Sequence, residues 1–158
     1  MKNSELSIEN LQSKIEAAFS DVEPPSPENI IEHECQECRD VEQTFRNQNW
    51  RNIEPKKVKW AYDKLPLFTP EAFQYFLPAF MIYSLREPES EVCESLVYAL
   101  ASKKVSVEWW QERLDKFTEA QKSVCNLFLR WLLPNLEYTY DAKDIKRALE
   151  TWWKTEDA

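Results

Sequence analysis

The stretch TPEAFQYFLPAFMIYSL, Thr69 to Leu85, decides the fold. Thr followed by Pro is a helix-start signal, because a threonine hydroxyl can cap the first turn and proline at the first helical position gives up a donor that has no partner there. Behind that start, Phe73, Tyr75, Phe76, Leu77, Ala79, Phe80, Met81, Ile82, Tyr83 and Leu85 cover nearly every side of a helical cylinder. A helix apolar all round belongs inside a protein, so this is the predicted central, buried helix. Pro78 predicts a kink in it, since an interior proline removes one backbone donor and crowds the carbonyl four residues back.

Composition supports helices elsewhere. The 158 residues contain no glycine, where average usage of about 7% would give roughly eleven. Phosphate-binding loops, dinucleotide fingerprints and nucleophile elbows all need glycine where backbone must turn tightly or approach a ligand, so those enzyme classes are excluded. Two-residue hairpins lean on glycine as well, which makes an all-α fold the expectation. A chain of this length can bury roughly 68–70% of its unfolded surface without disulfides.

Working outward, Ile8, Leu11, Ile15 and Phe19 repeat at helical spacing behind Ser7, a predicted N-cap. Pro24, Pro25 and Pro27 form an extended linker, so residues 1–27 read as a helix plus linker and 28–158 as the main body of one domain. A short helix is expected from about Arg39 to Arg46 through Val41 and Phe45. After the polar turn Asn47, Gln48, Asn49, Pro55 opens another through Val58 and Ala61. Pro88 predicts the start of a helix bearing Val92, Leu96, Val97 and Leu100, and Ser106 one with Val107, Trp110 and Leu114 inward. Thr118 with Gln121 makes a capping box for a helix ending near Pro134, and Asp141 is the expected cap of a last helix with Ile145, Leu149 and Trp152 inside. The sum is a compact single-domain bundle of about seven to eight helices around the proline-kinked one. Trp109–Trp110 and Trp152–Trp153 are neighbours about 100° apart on a helix, so one of each pair should sit at the edge of the core.

The net charge of −8 and the lack of any long Lys/Arg run argue against nucleic acid and suit a basic protein partner. The opening MKNSELSIEN has no apolar leader, and the most apolar stretch, Phe73–Tyr83, is about half the roughly 20 residues a membrane span needs. A cytoplasmic protein with reduced cysteines is the expectation.

Metal-ligating chemistry concentrates in HECQEC, His33 to Cys38, which holds the sole histidine and two of four cysteines. Zinc takes thiolate sulfur and imidazole nitrogen tetrahedrally, so His33, Cys35 and Cys38 form a candidate zinc site, with Glu32, Asp40, Cys93, Cys125 or water as the fourth ligand. No second CxxC or HxxxH completes the two-knuckle pattern. A CxxC ahead of a helix also carries a redox reading, opposed by the charges of Glu32, Glu34, Glu37 and Asp40. The plain alternative is a surface histidine beside two small hydrophobic cysteines, and Cys93 and Cys125 read as core.

The run from Phe45 through Trp50 to LPLFTPEAFQYFLPAFM, Leu65 to Met81, resembles an uncharacterised bacterial family of small acidic helical proteins with a PEAFxYFLPAF-like core motif. The resemblance implies a bacterial, cytoplasmic, single-domain protein and carries over no catalytic residue. Two functions are left open: a non-enzymatic protein-interaction or neutralising domain, of immunity or antitoxin kind, with a structural zinc site, and a small zinc- or thiol-dependent enzyme centred on His33, Cys35 and Cys38.

Overall fold

A computed structural model describes residues 7–136 and 141–155; residues 1–6, the start of the MKNSELSIEN stretch read above, lie outside it. The described residues form eight α-helices and no strand, as expected: α1 Ile8–Ala18, α2 Gln36–Phe45, α3 Pro55–Trp60, α4 Pro70–Arg86, α5 Glu91–Ala101, α6 Val107–Leu114, α7 Glu119–Leu136 and α8 Asp141–Glu150. They gather into two compact units. A middle unit is Asp21–Leu96, and a split unit joins Met1–Ser20 to Val97–Ala158, with α5 running from one into the other.

In the middle unit, Thr69 fastens the start of α4. Its hydroxyl accepts the Ala72 N–H at 3.0 Å and donates to the Asn29 carbonyl at 2.7 Å, and its backbone N–H reaches the Ile30 carbonyl at 2.9 Å. An isolated antiparallel bridge between Ile31 and Phe68 continues that seam, so the stretch after the prolines is pinned to the head of the buried helix. Phe45, the last residue of α2, enters a cluster of rings with Phe68, Phe76 and Phe80 at centroid distances of 5.2, 4.9 and 6.2 Å. All four are buried, and each favourable ring pair adds about 0.5–1.5 kcal/mol beyond its area. After Phe45 the chain turns through Asn47 at φ 59°, a left-handed conformation in which Asn is the natural stand-in for glycine.

The split unit packs α1 against α7, and α7 against α8. Ser7 caps α1 through the Asn10 N–H at 3.1 Å. The capping box on α7 is reciprocal, with Thr118 N–H to Gln121 Oε1 at 3.0 Å and Gln121 N–H to Thr118 Oγ1 at 3.1 Å. Gln121 also donates through Nε2 to the Ala18 carbonyl at 3.1 Å, satisfying an acceptor at the end of α1. Trp110 and Trp153 fill the core, with Trp153 Nε1 donating to the Leu100 carbonyl at 2.8 Å. Arg113 is buried with them, its guanidinium 4.0 Å from the Trp109 ring and bonded to the Trp109 carbonyl at 3.1 Å.

Several expectations shift. α2 begins at Gln36, so Cys38 lies inside its first turn. α5 starts at Glu91 instead of Pro88, because Ser90 accepts the Cys93 N–H at 3.1 Å and does the capping. Val107, expected inside, is 66% exposed at the first position of α6. α7 runs through Pro134 to Leu136. Of the last tryptophan pair it is Trp153, not Trp152, that is fully buried. α8 opens at Asp141, whose side chain, the expected cap, lies outside the described residues.

Candidate functional site

Two places in the middle unit carry chemistry, and α2 contributes to both. At its N-terminus, Cys35 takes the N-cap position with an extended backbone, φ −145° and ψ 167°, and its sulfur accepts the Cys38 N–H at 3.2 Å. The two sulfurs lie 2.9 Å apart in hydrogen-bond contact, and both cysteines are free thiols. Their surroundings differ: Cys35 is exposed and Cys38 buried.

That asymmetry separates the acidities. The hydrogen bond from the Cys38 thiol, followed by the Cys38 and Glu37 backbone N–H groups, stabilises a Cys35 thiolate and lowers its pKa below the ordinary thiol value, against opposition from burial and the Glu37 charge. Burial first, then the bond to Cys35 and the neighbouring charges, pushes the Cys38 thiol up. Glu37 is drawn off by Lys64, whose ammonium lies 2.5 Å from Glu37 Oε2 and 3.3 Å from Asp63 Oδ1.

The structure brings Cys35 and Cys38 together, while His33 is exposed and meets Cys38 through its backbone. Among the described residues no group of three or more His, Cys, Asp and Glu is gathered as a metal cage. Two thiolates on one tetrahedral zinc stand about 3.8 Å apart at a Zn–S bond of about 2.3 Å, so zinc would have to spread this pair and recruit further donors.

The second place lies at the other end of α2. An open groove of about 460 Å³ is lined by Gln43 and Thr44 of α2 and by Lys56, Lys57 and Trp60 of α3. Trp60 is 43% exposed, which is costly for so large an apolar ring in water. Lys64 Nζ lies 5.7 Å from its centroid, within cation–π range. Sequence reading did not find this groove. Its signal was the short run PKKVKW, in which Val58 is the only buried side chain and lysines flank an aromatic.

Cys93 and Cys125 are buried, and burial raises both thiols, Cys93 to about 11. Among the described residues no helix is long and apolar enough to cross a membrane. No curated protein and no solved structure matches this chain. A family model described as a family of unknown function (DUF6714) matches residues 8–157, almost the full length, and the chain therefore belongs to that family.

Proposed function

We propose that this protein is a non-enzymatic interaction domain that docks an acidic segment of a partner protein in the α2–α3 groove. The carrying observation is Trp60: a large ring left 43% exposed between lysines, on a surface groove too open to enclose a small substrate. Tryptophan anchors dominate protein interfaces because one ring contributes much contact area at little entropy cost. Lys56 and Lys57 line the groove and Lys59 is exposed on the same short helix, a local positive charge on a chain of net charge −8. The net charge pointed to a basic partner; the groove itself is complementary to an acidic one.

Selection of a random peptide library on the protein, counter-selected on Trp60→Ala, tests this. Enriched peptides should be acidic, carry an apolar residue, bind at least tenfold more weakly to Lys57→Glu, and weaken as salt rises. Peptides without acidic bias, or with equal affinity for Trp60→Ala, would remove the reading. The alternative, a zinc site on His33, Cys35 and Cys38, is supported by the donor types alone; zinc content of untagged protein, compared with Cys35→Ser, decides it.

A further inference from the structure

We infer that Cys35 and Cys38 are a redox-active dithiol, which exchanges with small-molecule disulfides and closes to an intramolecular Cys35–Cys38 disulfide. This is independent of the docking groove and assigns a covalent chemistry to the pair. Three observations carry it. The sulfurs are in contact at 2.9 Å, so no other part of the fold must move to bring them together. Cys35 is exposed and Cys38 is buried directly behind it, which supplies an attacking and a resolving thiol in one turn. Cys35 receives the Cys38 backbone N–H at 3.2 Å as the cap of a ten-residue helix, a donor and dipole arrangement that favours a thiolate.

The chemistry balances as two exchanges. The Cys35 thiolate attacks one sulfur of a disulfide RS–SR, forming Cys35–S–S–R and expelling RS⁻, which takes up the proton Cys35 released. Cys38 then loses its proton and attacks the Cys35 sulfur of that mixed disulfide, expelling the second RS⁻, which is protonated in turn. Two protein thiols are oxidised to one disulfide, and RS–SR is reduced to two RSH.

The experiment uses the full reduced chain in chelator-containing buffer with oxidised glutathione as the probe disulfide, acid quenching, alkylation of remaining thiols, and peptide mass mapping. The expected result is loss of alkylation at Cys35 and Cys38 with a mass lower by two hydrogens, while Cys93 and Cys125 stay reduced. Cys38→Ser should halt at a glutathione adduct on Cys35. Cys35→Ser should lower the rate at which Cys38 reacts by about tenfold or more. Circular dichroism of both variants identifies misfolding, and Cys35→Ala, at an exposed position, serves if the serine variant is damaged.

Full alkylation of both cysteines after hours in excess oxidant would overturn the inference. So would oxidation paired through Cys93 or Cys125, or no adduct on Cys35 in folded Cys38→Ser. A parallel reaction run without chelator in which Cys35 and Cys38 resist exchange would reassign the pair to a metal.

Discussion

The ring cluster of the middle unit is built from phenylalanines, whereas in the split unit Trp110 and Trp153 join Phe19 and Phe117, and tryptophan brings polar obligations that phenylalanine does not. Phe45, Phe68, Phe76 and Phe80 pack ring on ring and carry no side-chain donor or acceptor to satisfy. Trp153 needs the Leu100 carbonyl for its N–H, and its own carbonyl is held by Asn126 Nδ2 at 2.8 Å, while Asn126 Oδ1 accepts Arg130 Nε at 2.8 Å. Arg147 reaches the Ala101 carbonyl at 2.5 Å. A ring core is specified by the packing and mutual tilt of its rings; a ring-and-amide core is specified by its hydrogen bonds as well.

The difference can be broken most severely at Phe76, which touches Phe45, Phe68 and Tyr75 at 4.9, 5.6 and 4.9 Å. Phe76→Ala should cost about 3–5 kcal/mol in urea denaturation, through lost burial and the cavity left behind. A smaller effect comes from pH. Burial holds the Cys93 thiol near 11 when folded, above the ordinary value of 9.0, so the unfolded chain releases this proton first. Its contribution is present below pH 9 and disappears as pH rises towards 11, amounting to about 2–3 kcal/mol. Stability of the wild type should therefore fall more steeply across that window than that of Cys93→Ala.

Trp153→Phe sharpens the contrast, since it keeps an aromatic ring but deprives the Leu100 carbonyl of its donor. The loss should be about 1–3 kcal/mol, more than ring volume alone predicts. The smallest effects are at the caps. Thr118→Ala should cost about 1 kcal/mol. Thr69→Ala should cost about 2 kcal/mol, because that hydroxyl both caps α4 and donates to Asn29. Equal losses at the two threonines would show that the Thr69–Asn29 bond contributes nothing net.

Much of this architecture could be read from the chain because capping is local chemistry. Ser7, Thr69, Ser106 and Thr118 all cap where the sequence places them, and the all-round apolar helix is buried at Phe73, Phe76, Leu77 and Phe80. Misreadings fall where a local rule met another residue or a change of helical phase. Cys35 is a sulfur cap, outside the usual oxygen set, so the start of α2 was placed three residues late. The turn after Glu150, with Trp153 N–H on the Ala148 carbonyl at 2.9 Å, breaks the 100° rotation that had pointed Trp152 inward. The CxxC spacing was visible, but its division into an exposed and a buried thiol follows from that helix start. For Trp60 the lysine-flanked run PKKVKW was the one signal, and a six-residue helix is too short for periodicity to say which side faces water.

The bond from Gln121 to the Ala18 carbonyl spans 103 residues. During synthesis at about 5–20 residues per second, α1 leaves the ribosome about 5–20 s before α7 can cover it. The intervening middle unit is contiguous in sequence and is complete by Leu96, while Leu11, Ile15 and Phe19 await their partner. That interval is a window in which a chaperone, or the α7 of a neighbouring nascent chain, can engage the apolar face of α1.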